Sequence, residues 1–160
     1  MSEDRSKILK AGGGEPRWPD IERRDYKDDP GSHAGVSRYS LLGEAPDERG
    51  LTFQTRYFEV AEGGYTSLER HRHPHSVVVI RGSGTLILGN GVHELDLHDV
   101  VYVASGTLHQ FQADRGEELG FLCTVDRYRD RPELPDRETL QREIPDEKVR
   151  ARIRREGNYS

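Results

Sequence analysis

Between Val36 and about Val125 the chain alternates short apolar and β-branched runs with clusters of turn-forming residues. The runs are VSRYSLL (36–42), LTFQTRYFEV (51–60), YTSLERH (65–71), SVVVI (76–80), TLILG (85–89), VHELDL (92–97), DVVYVA (99–104), LHQFQA (108–113) and LGFLCTV (119–125). Period-two patterning over four to ten residues is the signature of strands with one buried face. The punctuation GEAPDERG, AEGG, RGSG, GNG, SGT and DRGEE supplies the backbone angles that turns need. No helical pattern of a dozen residues interrupts the series, so the expected fold is all-β, an antiparallel jelly roll or barrel over residues 36–128.

The flanks read differently. Residues 1–35 are rich in charge, Gly and Pro, with Ile8, Leu9, Trp18, Ile21 and Tyr26 as isolated apolar anchors. This arm either docks through Trp18, on the barrel or on a second subunit, or stays disordered. After the barrel, residues 129–160 carry three prolines and then helix formers. Leu140 with Ile144, and Val149 with Ile153, recur at a spacing of four and predict one or two short helices packed outside the barrel. The basic run Lys148, Arg150, Arg152, Arg154 and Arg155 lies among acidic residues, which favours a solvated face or a subunit contact over phosphate binding.

Charge narrows the partners. A net charge of -5 over 160 residues argues against a sequence-independent nucleic-acid binder, which needs a basic footprint to displace counterions, and favours a small-molecule substrate. Hydrophobic residues make up 32% and charged residues 33%, consistent with solvated arms around a modest core. The single cysteine, Cys123, cannot form an internal disulfide, so a reducing compartment is expected. No apolar run approaches a membrane span and the start is polar, so the expectation is a cytoplasmic protein. Two polar arms on a small barrel predict a homodimer.

Seven histidines occur, and three of them, His71, His73 and His75, follow directly on Glu69. On an extended strand these four side chains share a face, offering the nitrogen and oxygen donors that Fe, Mn, Zn, Ni or Cu use, with Pro74 deciding which converge. One strand cannot surround a metal. His109 supplies a ligand from elsewhere, because it shares strand parity with Phe111 and faces inward if Phe111 does. His93 and His98 are isolated and read as surface or hairpin residues. Cys123 shares parity with Phe121 and Leu119, which makes a buried small hydrophobe the first reading and a residue facing the metal cavity the second. Phe53, Tyr57, Phe111 and Phe121 are core candidates that would also form the apolar wall of a substrate pocket.

The text around these residues, GYTSLERHRHPHSVVVIRGSG at 64–84 and HDVVYVASGTLHQF at 98–111, resembles the two motifs of the cupin superfamily. Counting back from Gly82, the acidic position of the first motif falls on His75 and its His-X-His pair falls on Glu69 and His71. In the second motif Gly106 and His109 match, whereas the leading Gly is His98 and the Pro is Ala104. The resemblance is greatest to small single-domain cupins with a histidine at the acidic position. It implies one divalent transition metal on Glu69, His71, His75 and His109, with His73 as an outer or alternative ligand. It further implies a metal-dependent small-molecule enzyme, first a dioxygenase or related oxidoreductase. The alternatives are an isomerase or lyase on a sugar-like or acidic substrate, and a non-catalytic metal-stabilised ligand-binding module.

Overall fold

The computed structural model of the chain describes residues 5–14, 17–27 and 31–156. These residues form nine strands: β1 (Arg24–Asp25), β2 (Ala34–Leu42), β3 (Phe53–Tyr65), β4 (His75–Gly82), β5 (Gly84–Leu88), β6 (Gly91–Leu95), β7 (Val100–Val103), β8 (His109–Ala113) and β9 (Leu119–Asp126). Two short helices follow, α1 (Arg137–Glu143) and α2 (Glu147–Arg150). All strand pairings are antiparallel: β1, β2, β3, β9, β4 and β7 lie side by side, and the far end of β3 passes to β8, β5 and β6. The long β3 thus belongs to both halves of the roll.

The inward face is set by parity. Phe58 and Val60 of β3, Val77 and Val79 of β4, and Phe121, Cys123 and Val125 of β9 meet Leu86 of β5 and Phe111 and Ala113 of β8 in one core. Burying a Val or Phe side chain contributes roughly 1.5–3 kcal/mol, so this shared face stabilises the roll without the arms. Gly82 closes β4 where the backbone adopts φ +63, and a Cβ there would stand 1.7 Å from the Glu118 carbonyl oxygen. Only glycine fits.

Three expectations are corrected. AEGG is not a turn: it lies inside β3 and absorbs a register irregularity between Ala34↔Tyr65 and Val36↔Val60. The expected strand over 65–71 is a loop with isolated bridges at Glu69 and Arg70, because past His71 the backbone N–H groups of Arg72 and His73 donate to the Asp130 carboxylate instead of to a neighbouring strand. The arm is not wholly outside the barrel, since β1 pairs with β2.

Both flanks dock on the outer surface. Trp18 packs with Leu9 and Ile21 against Tyr39, Leu41 and Tyr57 of its own barrel. At the other end Leu140, Ile144 and Val149 cover Leu68, Ile87 and Leu108, with Ile153 alongside. Two residues of the basic run serve as fasteners: the Arg150 guanidinium donates to the carbonyls of Ile144 and Pro145, and that of Arg154 to those of Gly63 and Ala113. No helix among the described residues is long and apolar enough to cross a membrane. The outermost parts of both arms, 1–4 and 157–160, lie outside the described residues.

Candidate metal centre

His71 sits in the loop before β4, His75 opens β4 and His109 opens β8. The loop is tied down on both sides: Glu69 and His109 exchange backbone hydrogen bonds of 3.2 and 3.0 Å, and Gly106 donates to the His71 carbonyl at 2.8 Å. Asp130 then takes the N–H groups of Arg72 and His73 at 2.9 and 3.0 Å. The outcome is a cluster of three buried imidazoles whose possible ligand atoms all lie within 4.8 Å of one another.

Hydrogen bonds fix which nitrogens are free. A carbonyl only accepts, so Nδ1 of His71, 2.5 Å from the His73 carbonyl, and Nδ1 of His109, 2.9 Å from the Thr107 carbonyl, each carry the proton. Both Nε2 atoms therefore present lone pairs. Nε2 of His71 is buried with no hydrogen-bond partner among the described residues. Burial, then the neighbouring imidazoles, lowers the His71 pKa to about 4. Burial likewise leads in pushing down His75 and His109. Three neutral, convergent imidazoles, one with an orphaned nitrogen, fit a divalent transition metal.

The two other residues expected at the metal are placed differently. The Glu69 carboxylate accepts from Lys27 and from the Ser67 hydroxyl. Burial alone would raise its pKa, but Lys27 and Ser67 outweigh burial and hold it below the ordinary range. His73 lies flat on His71, gives Nδ1 to Asp130 at 2.8 Å and brings Nε2 to 3.3 Å from Nε2 of His75. The Glu69 carboxylate is thus engaged by Lys27 and Ser67 beside the histidine cluster.

Beside the histidines lies a cavity of about 50 Å³ whose walls include His75, His109, Phe58, Phe111, Phe121 and Cys123. Phe111 and Phe121 stack at 4.5 Å, and Cys123 Sγ lies 3.6 Å from His75 Nδ1. Burial raises the Cys123 pKa and keeps the thiol protonated. Tyr26 and Lys27 of the arm, and Arg56 of β3, complete the wall.

Over residues 56–125 the chain matches the cupin domain family. It is 38% identical over 136 residues to 1-methylthio-D-xylulose 5-phosphate methylsulfurylase of Rhodospirillum rubrum, a match covering 84% of this chain and 85% of that protein. The chain is a cupin. Among solved structures it is similar to a cupin 2 conserved barrel domain protein from Rhodopseudomonas palustris, with 38% identity, a TM-score of 0.81, and 92% of this chain and 99% of that one covered. A cupin 2 domain-containing protein from Halorhodospira halophila gives 43% identity and a TM-score of 0.73, over 86% of this cupin and 98% of the other chain.

Two expected pocket residues lie elsewhere. Phe53 and Tyr57 share the outward parity of β3: Phe53 is 40% exposed, and Tyr57 is buried in the outer cluster against Trp18. The inward parity carries Gln54, Arg56, Phe58 and Val60 instead. Sequence reasoning missed Phe58 and Arg56 because FQTRYFEV has aromatics on both parities and an arginine on the inner one, which disguises the buried face. Tyr26 and Lys27 were hidden in an arm with no periodicity, where no local signal marks a cavity wall. Glu59 faces outward, accepting from Tyr57 and Arg81, while Gln110 is fully buried beneath the C-terminal segment, donating to the Thr66 and Arg154 carbonyls. His93 and His98 are exposed.

Proposed function

We propose that this cupin is a metal-dependent enzyme acting on a phosphorylated ketose that carries a methylthio group. The observation that carries the reading is the three-imidazole centre opening on an aromatic cavity that holds the single free thiol. The chain around it is 38% identical to a protein named as a 1-methylthio-D-xylulose 5-phosphate methylsulfurylase. The dioxygenase expected first rests on the cupin motifs alone, whereas this relative supports sugar-phosphate chemistry, nearer the isomerase or lyase alternative.

His71, His75 and His109 would hold the metal. When bound, a divalent ion supplies Lewis acidity toward a substrate oxygen. The protein does the remaining work. Phe111 and Phe121 exclude water from the reacting end of the substrate, which strengthens every polar interaction there. Arg56 Nη2, 3.5 Å from Cys123 Sγ, and the Lys27–Glu69 pair fix the polar side of the same cavity.

The test is elemental analysis of the purified protein, followed by incubation of the metal-loaded form with 1-methylthio-D-xylulose 5-phosphate, with and without an added thiol as sulfur acceptor. Loss of the methylthio group, read by mass spectrometry and by a shift of the 31P resonance, is the expected result. An unchanged substrate, together with oxygen uptake on phenols or diketones, would return the reading to a dioxygenase.

A further inference from the structure

We infer that Arg38, Arg56 and Arg129 form a binding site for a phosphoryl dianion at the mouth of the metal-side cavity. The inference deepens the functional reading above and rests on it for the identity of the ligand that carries the phosphoryl group.

Strand register brings the three together. Val36, Arg38 and Ser40 alternate onto the inner side of β2, as Gln54, Arg56 and Phe58 do on β3. Arg38 stands opposite Phe58, and Ser40 opposite Arg56, so the two arginines are diagonal cross-strand neighbours on one face. The third comes from the segment after β9: Arg129 Nη1 donates to Gln54 Oε1 at 2.7 Å, two residues before Arg56 on that face. Arg56 lines the cavity that His75 and His109 also line.

Among the described residues the cluster lacks an anion. Arg56 is 8% exposed, yet its Nε is buried without a hydrogen-bond partner among the described residues, and so is the Nε of Arg38. The Arg56 contacts are a thiol sulfur at 3.5 Å and the face of Phe58, with the guanidinium 4.9 Å from the ring centroid, and neither supplies negative charge. Glu44 is the acid acting on both Arg38 and Arg129, and it is already paired with Arg24 at 3.0 Å. Burial and the neighbouring guanidinium of Arg56 both lower the pKa of Arg38 and of Arg129, the signature of like charges held together. Leaving buried cationic donors unpaired is costly, and an anion with several oxygens removes that cost.

The chemistry selects a phosphoryl group. Each guanidinium offers a planar fork of donors that matches two oxygens, and three neighbouring forks offer more donors than a two-oxygen carboxylate can satisfy. The cavity of about 50 Å³ holds only the reacting end of a ligand. Arg38 and Arg129 are half-buried and grade outward from Arg56, so a small molecule seated at the histidines would carry its phosphoryl end to them.

The experiment is titration calorimetry of the metal-loaded full chain with inorganic phosphate and with D-xylulose 5-phosphate, using D-xylulose as the arm without phosphorus. Arg38→Gln, Arg129→Gln and the charge-conserving Arg56→Lys are compared, with circular dichroism to show that each is folded. Each substitution should weaken both phosphorylated probes about tenfold or more, the scale of losing hydrogen bonds to a charged group, and Arg38→Gln and Arg129→Gln should leave D-xylulose unchanged. Removing the metal by chelation and dialysis should leave the affinity for inorganic phosphate within a few-fold. No saturable phosphate binding by the unaltered protein, equal affinities across the variants, or loss of binding with the metal would each overturn the site. Turnover of the methylthio substrate alongside arginine-independent phosphate binding overturns the site and leaves the function standing. Arginine-dependent phosphate binding without turnover keeps the site and removes the function.

Discussion

His71 and His73 stack face to face, their ring centroids 3.8 Å apart and their planes 8° from parallel, while their nitrogens serve different partners. His71 commits Nδ1 to a backbone carbonyl and leaves Nε2 bare among His75 and His109. His73 is anchored through Nδ1 to Asp130 and touches the cluster only at its edge, where Nε2 meets His75. The stacked ring thus lies against one side of the cluster.

That division of labour separates two substitutions. His71→Ala should abolish most metal retention, because it removes an imidazole whose free Nε2 is buried without a partner among the described residues. His73→Ala should keep metal near the wild-type content per chain and lower stability by about 1.5–3 kcal/mol, the scale of a lost hydrogen bond to a charged group. Metal content by plasma mass spectrometry decides, and retention in His71→Ala with loss in His73→Ala would reverse the assignment.

Glu69→Gln tests whether the carboxylate is a ligand or an ion-pair partner. Its pairing with Lys27 and Ser67 predicts that metal content survives. The melting temperature should fall by an amount corresponding to about 1–3 kcal/mol, since Lys27 loses its charged partner. Metal loss in Glu69→Gln at unchanged stability would instead put Glu69 into the coordination sphere, as the motif count from Gly82 implies.

Much of the roll was legible because period-two patterning and turn residues act locally. SVVVI, HQFQA and LGFLCTV each lie in strands whose inner parity is apolar, and His75, Val77 and Val79 follow it inward. The loop over 66–74 was not legible, because YTSLERH has the alternation of a strand and its backbone is diverted by Asp130, nearly sixty residues away. Trp18 was visible as an anchor but not its target, which is the outer pair Tyr39 and Tyr57 of the same chain. Arg38 and Arg56 were invisible for a physical reason: an inward charge breaks the pattern from which burial is read.

The histidine cluster makes the metal-free protein acid-sensitive. The pKa of His71 falls from an ordinary value of 6.5 to about 4 on folding, and His75 and His109 shift in the same direction. Between those values the unfolded chain binds more protons than the folded one, so stability is full above 6.5 and declines as pH drops toward 4. Denaturant melts of chelated protein should show this loss, and His71→Ala should flatten the slope. A pH-independent midpoint over that window would contradict burial of neutral imidazoles.

His98 occupies a position the cupin motif gives to glycine, and its backbone stands at φ 73, in the left-handed region. Its N–H is fixed to the Val79 carbonyl of β4 at 2.9 Å, so the conformation is held where the β6–β7 turn meets β4. A side chain there costs roughly 1–2 kcal/mol, partly offset by the extra freedom glycine has when unfolded. His98→Gly should therefore raise stability by about 0.5–1 kcal/mol with no change in metal content. A lower melting temperature would show that the exposed imidazole makes a compensating contact.

Trp18 connects the arm to the chemistry. Its ring meets Tyr57 edge-on at 5.1 Å and lies 6.2 Å from Tyr39, fixing the chain that runs on to Tyr26 and Lys27. Those two residues close the cavity: Tyr26 packs on Phe58 at 5.7 Å with its hydroxyl 3.2 Å from Ser67 Oγ, and Lys27 reaches Glu69. Trp18→Ala should cost about 2 kcal/mol, less than for a fully buried tryptophan because Trp18 is half-buried. It should also loosen the cover over Cys123, which is 1% exposed in the closed arrangement. The sensitive readout is the rate at which a maleimide labels Cys123, measured well below the melting temperature. Faster labelling in Trp18→Ala, matched by deletion of residues 1–27, would show that the arm controls access to the cavity through this one ring. Equal rates in all three proteins would mean that the thiol is shielded by the barrel itself and that the arm is a structural cover alone.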